Sequence, residues 1–354
     1  MANQDLPDIG KISPGIFQEL IFPRLGARRD TVLVGPQHGV DVGIVEIGDQ
    51  AVAMTTDPVF IVPEYGWEKA AWFAIHILVS DVVTSGLPPA YLSIDLNLPM
   101  EMTREHLERV WTVIHEECER MGIAIVCGHT GRYENCHYPM VGGATVLAVG
   151  SKDAYVTPAF ARPGDKIIIT KGPAIEAVGI FSAMFPDLLQ EKFGSAFREK
   201  AGRIFYMMSV VEDALAAVQV GVRDHGVSAM HDATECGIYG GVHELANAAG
   251  LGATLDKDKI VKEECVNEVC QFFDIDPYSS ISEGTLIILC REQKAEDVLR
   301  VLSDKSIKAS IVGEMKNPGD GIFLIEEGKK RRLEHPVVDP FWRAFYRTLG
   351  ENKP

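Results

Sequence analysis

Hydrophobic and polar positions along the chain fall into stretches of two different periods. Residues 32–48 (VLVGPQHGVDVGIVEIG) set β-branched side chains around Gly35, Gly39, Gly43 and Gly48, which predicts two short strands joined by a glycine loop. Residues 51–55 read as a buried strand that runs into Thr56, Asp57 and Pro58. Residues 67–85 are apolar nearly all round and predict a buried helix, closed by Gly86 with Pro88 and Pro89 behind it. A strand over 91–98 follows, then an amphipathic helix. Thr103 is its cap, and Leu107, Val110, Trp111, Ile114, Cys118 and Met121 recur on one face before Gly122. Further strands are predicted at 123–127 and 140–150.

The pattern resets at 155–163, where Pro158, Pro163, Gly164 and Asp165 make a turn-rich joint. We therefore expect two domains, 1–155 and 156–354. The second opens with a strand at 166–170 and a helix over 208–220. Strands are expected at 227–231, 285–290, 309–312 and 321–325, and helices at 239–249 and 293–303. Strand–helix alternation in both halves points to an α/β (α+β) class.

Composition narrows the function classes. Hydrophobic residues make up 46% of the 354 and charged residues 24%, enough apolar material for a folded core. The net charge of −16 argues against a basic nucleic-acid-binding face. It also means that an anionic ligand needs a cation as mediator. No apolar run reaches a bilayer span, and no basic leader followed by an apolar stretch is visible at the start. The seven cysteines form no CxxC pair, so they are expected to be reduced thiols in a cytoplasmic protein, without structural zinc.

Several carboxylates stand where a bare charge is expensive. Asp81 lies in the apolar helix, Asp57 follows a hydrophobic strand, and Asp41 sits in the glycine loop. Asp232 and Glu235 lie in HDATECG between a predicted strand and helix. In α/β folds ligand sites form at strand ends and adjacent loops. Converging carboxylates there would hold Mg²⁺ with a phosphorylated ligand beyond it. Taken singly, Asp41 and Asp232 also suit turns, Asp81 a buried ion pair, and Glu235 a helix N-terminus. No GxxxxGK[ST] or GxGxxG motif occurs. Gly128, His129 and Thr130 are expected just past a strand end, facing a ligand, although His129 also suits a bond to a nearby carbonyl. His76 reads as a satisfied core histidine, and His231 is open to either reading.

The ordered set GPQHGVD, TTDP, SDVVTSG, GHT, RPGDKIIIT and HDATECGIYGGVHELA resembles the aminoimidazole-ribonucleotide synthetase superfamily. That group includes selenophosphate synthetase, thiamine-monophosphate kinase and the hydrogenase-maturation protein HypE, and the HypE-like branch is the nearest in pattern. The resemblance implies an N-terminal ATP-binding and dimerisation domain whose sheet closes a β-barrel across a homodimer, and a C-terminal α/β domain covering a cleft for ATP and Mg²⁺. It implies metal roles for Asp41, Asp57, Asp81, Asp232 and Glu235, and nucleotide contacts from Gly35, Gly39, Asp41, Thr56, Gly128 and Thr130. His129 or His231 is the candidate base.

The implied reaction is ATP-dependent activation of an oxygen nucleophile, on a small-molecule or protein acceptor, by phosphoryl transfer. A kinase of the thiamine-monophosphate type and a non-catalytic maturation partner are the alternatives. Ser80 replaces the family asparagine before Asp81, and Cys236 stands where glycine is more usual. The last cysteine is Cys290, so a C-terminal thiol acceptor of the HypE kind is not expected.

Overall fold

The computed structural model describes residue 12 and residues 14–350. A single turn, α1 (Pro14–Ile16), leads toward a six-stranded sheet. Its strands are β1 (Val32–Val34), β2 (Gly43–Ile47), β3 (Gln50–Phe60), β4 (Pro89–Leu98), β5 (Ala124–Arg132) and β6 (Met140–Ser151), in the order β1-β2-β3-β6-β4-β5. Only β4 and β5 pair in parallel. Helices α2 (Trp67–Val83) and α3 (Arg104–Met121) complete this half.

Local chemistry explains the helix ends. The Thr103 side chain accepts the His106 N–H at 3.1 Å, and Gly122 closes α3 at φ +73, where glycine meets no Cβ penalty. In α2 the buried positions, among them Ala70, Ala74, Leu78 and Val82, run all round the helix. It therefore sits between the sheet and the second half rather than on the surface.

The second half carries β7 (Lys166–Thr170), α4 (Ile175–Met184), α5 (Pro186–Phe193), α6 (Ser195–Gly202), α7 (Val211–Ala217), β8 (Val227–Asp232), α8 (Gly237–Ala249) and β9 (Gly252–Asp256). It continues with α9 (Val266–Phe273), β10 (Leu286–Cys290), α10 (Ala295–Asp304), β11 (Ala309–Lys316), β12 (Ile322–Glu326), β13 (Lys329–Arg332) and α11 (Pro340–Thr348). Seven strands order as β13-β12-β9-β11-β7-β10-β8, and only β12 and β9 run in parallel. β7, β8 and β10 are buried almost throughout, so they lack the alternation of a one-sided sheet.

The turn-rich joint is pinned by charge. Buried Asp165 accepts from Arg291 Nη1 at 2.6 Å, from Ser228 Oγ at 2.7 Å and from the Arg162 N–H at 3.0 Å. A second pin is buried Lys171, which donates to the carbonyls of Ser209 at 2.6 Å and Gly284 at 2.7 Å and pairs with Asp213 at 2.9 Å.

Three local expectations change. The strand expected to end at Cys127 continues to Arg132, because β4 supplies a parallel partner as far as Leu98. Gly128, His129 and Thr130 therefore lie inside a strand rather than beyond one. β3 likewise runs past Asp57, which pairs with Ala144, to Phe60. The helix expected over 208–220 is α only from Val211 to Ala217 and ends in a 3₁₀ turn over Val218–Val220. Among the described residues no helix is long and apolar enough to cross a membrane.

Candidate active site

The acidic site is assembled from both sheets. The glycine loop between β1 and β2 supplies Asp41, β3 supplies Asp57, α2 supplies Asp81 and the end of β8 supplies Asp232. Asp81 Oδ2 accepts the Thr55 hydroxyl at 3.0 Å, which ties α2 to β3. The Asp81 carboxyl is raised well above its ordinary value, first by burial and then by the charges of Asp232, Asp57 and Asp41. Asp81 thus lies within reach of the charges of Asp232, Asp57 and Asp41. Ligand atoms of Asp41, His231 and Asp232 all fall within 4.8 Å of one another.

His231 holds the loop in place. Its Nδ1 lies 2.9 Å from Asp41 Oδ2, its Nε2 3.0 Å from Glu244 Oε2 on α8, and Asp232 Oδ1 is 3.9 Å from Nδ1. Burial opposes charge on this ring, yet Asp41 and Glu244 override it and raise its pKa well above the ordinary value. With a carboxylate at each nitrogen, the ring is a cation donating twice. It leaves no lone pair to receive a proton. Gly39 brings the same loop against α8: at φ +75, a Cβ there would lie 2.5 Å from the Glu244 carbonyl oxygen. Gly35, by contrast, has nothing nearer than 4.0 Å.

Sequence reasoning passed over other acids at the site. Glu283 is buried, and its carboxyl is raised well above its ordinary value by burial, then by Asp232 and Glu176. Glu176 Oε2 accepts the Glu283 N–H at 3.0 Å. Asp339, just before α11, accepts the Cys236 N–H at 2.7 Å and the Phe341 N–H at 2.9 Å, so the C-terminal segment is tied to the start of α8. Burial pushes the Asp339 carboxyl up to about 7.

Not every expected residue joins the cluster. The charge of Glu235 acts on Asp339 and on His335, whose Nε2 is 3.3 Å from Glu244 Oε1. Gly128, His129 and Thr130 lie on β5, three strands from β3. At about 4.8 Å per strand that is roughly 14 Å. His129 Nε2 is 2.6 Å from the Tyr133 hydroxyl, and Thr130 lines a groove with Leu96, Leu107 and Trp111. A Cβ on Gly128 would strike the Ile94 carbonyl at 2.1 Å, so strand pairing accounts for glycine there. Thr56 Oγ1 pairs with Thr145 Oγ1 at 2.8 Å.

The donor set fits a hard divalent cation. The candidate ligands are carboxylate oxygens from separate elements, with no thiolate among them, and a cation would relieve the like charges that surround Asp81. Asp41, Asp57, Asp81 and Asp232 are the residues that would hold it.

Comparison with known proteins places the chain. The AIR synthase related protein N-terminal domain profile matches residues 39–150 and the C-terminal domain profile matches residues 162–326. The chain belongs to the AIR synthase related protein family. It is 28% identical over 304 residues to the carbamoyl dehydratase HypE of Escherichia coli, covering 85% of this chain and 86% of that one. It is 23% identical over 247 residues to the thiamine-monophosphate kinase of Aquifex aeolicus, covering 68% and 74%. A crystal structure of hydrogenase maturation protein HypE in complex with ATP superposes with a TM-score of 0.65 at 22% identity, covering 94% of this chain and 97% of that one, and shares its fold.

Proposed function

We propose that this chain is an ATP- and Mg²⁺-dependent enzyme, HypE-like in type, that activates an oxygen nucleophile of a small molecule or protein-bound group by phosphoryl transfer. One observation carries the proposal: ligand atoms of Asp41 and Asp232, from the two halves of the chain, lie within 4.8 Å of one another, and their charges and that of Asp57 reach Asp81, in a protein of net charge −16. A bound cation offsets like charges gathered in this way. The ATP bound by the HypE relative of the same fold supports the nucleotide.

Bound Mg²⁺ would screen the triphosphate and the charge that develops in transfer. The chain's own residues do the rest. Asp41, Asp57, Asp81 and Asp232 fix the cation, and His231 fixes Asp41. Gly39 lets the loop lie against α8. Gly35, Thr56, Gly128 and Thr130 are proposed nucleotide contacts. His129 is the remaining candidate base, since both nitrogens of His231 face carboxylates.

We further propose a homodimer that pairs the six-stranded sheet with a second copy. It would cover Val126, Met140 and Tyr91, which the single chain leaves exposed. It would also bring a second β5, with its own His129 and Thr130, beside the sheet.

Titration calorimetry with ATP tests the proposal. Binding is expected with Mg²⁺ and is expected to weaken sharply without it. The absence of binding in both conditions overturns the proposal. Phosphate transfer from labelled ATP to thiamine monophosphate would favour the kinase alternative.

A further inference from the structure

His76 precedes Asp81 by five positions on α2, which turns it about 140° round the helix, away from the aspartates. There a cavity of about 560 Å³ opens between α2, α3 and α7. Its walls include Trp72, His76, Met121, Tyr206, Met207 and Ser209. That volume lies within the range of small-molecule pockets. The proposed nucleotide chemistry uses none of these residues.

Two side chains of this cavity, Ser209 and His76, stand in a connected line with Glu117 behind them. The Ser209 hydroxyl is 2.8 Å from His76 Nδ1, and His76 Nε2 is 3.1 Å from Glu117 Oε2. A carboxylate can only accept, and at 3.1 Å it is nearer Nε2 than the Arg120 guanidinium at 3.3 Å, so the neutral imidazole places its proton on Nε2 and Nδ1 is left to receive the serine proton. Burial lowers the pKa of His76 against the opposing pull of Glu117, which favours the neutral ring a base requires. Trp72 stacks on the imidazole at 4.0 Å and 24°, fixing its plane. Arg120 pairs with Glu117 and lies 3.3 Å from His76 Nε2. The Ser209 backbone is fixed by Lys171, whose ammonium holds its carbonyl at 2.6 Å. The Val211 N–H reaches the Ser209 hydroxyl at 3.4 Å, leaving its proton directed to His76.

We propose that Ser209, His76 and Glu117 form a nucleophile, base and orienting group that transfer acyl groups from carboxylic esters bound in this cavity. Trp72, Tyr206, Met121 and Met207 suit an apolar or aromatic acyl part. Ser209 Oγ attacks the ester carbonyl carbon as its proton passes to His76 Nδ1. The carbon–oxygen bond to the alcohol then breaks, and the departing oxygen takes that proton from His76. Water attacks the acyl-serine, giving its proton to His76. The carboxylic acid leaves as Ser209 Oγ recovers the proton. Glu117 holds the ring orientation and stabilises its charged form throughout. The proposal does not depend on the nucleotide site.

The test treats the full chain with a fluorophosphonate probe, follows adduct formation by intact mass and peptide mapping, and measures 4-nitrophenyl acetate hydrolysis in parallel. Wild type is expected to form one adduct on Ser209, and Ser209→Ala none. His76→Gln is expected to slow modification about 100-fold or more, the share of a general base. Glu117→Gln, a change at a partly exposed position, is the second variant should His76→Gln fail to fold. It is expected to slow modification more than about tenfold. An unmodified Ser209 in wild type overturns the proposal. So does a modification rate that neither folded variant alters.

Discussion

Gly39→Ala tests how the glycine loop is seated. Gly39 has φ +75, and an added Cβ would lie 2.5 Å from the Glu244 carbonyl oxygen and 2.7 Å from its carbon. The left-handed conformation alone costs about 1–2 kcal/mol for alanine. The contacting atoms are helix backbone and cannot swing aside, so the loop must lift by roughly 1 Å to reach ordinary contact. Asp41 moves with it, away from its 2.9 Å contact with His231. A hydrogen bond between charged groups is worth about 1.5–3 kcal/mol. The combined effect is about 2.5–5 kcal/mol, divided between stability and Mg–ATP binding. A share of 1.4 kcal/mol in binding is about a tenfold loss of affinity. Thermal unfolding and calorimetric titration of Mg–ATP measure the two parts. Gly35→Ala is the control for the steric part, since its nearest neighbour is 4.0 Å away, and it is expected to leave the melting temperature unchanged. A Gly39→Ala protein that melts and binds like wild type would refute the reasoning, as would an equal loss of stability in Gly35→Ala.

Asp57→Asn is expected to lower ATP affinity at least about tenfold with Mg²⁺ present and to change it little without, by calorimetry. Asp81→Asn should raise the stability of the metal-free protein, because the neutral amide escapes the burial and like charges that oppose the carboxylate, and cancel the gain wild type shows on adding Mg²⁺; melting curves with and without metal read both. His231→Ala leaves Asp41 without its cation and is expected to cost about 3–5 kcal/mol by denaturant unfolding. The Asp339 carboxyl, pushed up to about 7 by burial, binds a proton in the native state that the unfolded chain releases near pH 4. Its contribution is present at low pH and is lost as pH rises toward 7, with a slope of at most about 1.4 kcal/mol per pH unit. Asp339→Asn is expected to flatten that part of the stability–pH curve.

Asp41, Asp57 and Asp81 stand out in the sequence because each lies in apolar or glycine-rich surroundings, where a carboxylate needs a reason. Glu283 carried no such sign. It lies in SISEGT, which reads as an exposed turn, and becomes buried only because Ser282 and Gly284 bond across to Ile175 and Lys171. Glu244 was hidden in the same way, one acid on an amphipathic helix until His231 meets it. The end of β5 was misread because a strand stops where its partner does. Neither the partner β4 nor its register is written in the residues of β5. The helix caps at Thr103 and Gly122 were legible because they depend on a few adjacent residues.

The bridge from Asp41 through His231 to Glu244 has an evolutionary corollary. A crossover between family members that brings in the front part from one parent and the rest from another separates the loop acid from its imidazolium. Hybrid genes joined near the turn-rich joint should therefore yield sound protein only when both parents carry this pairing, or when the loop acid and the histidine are exchanged as a unit.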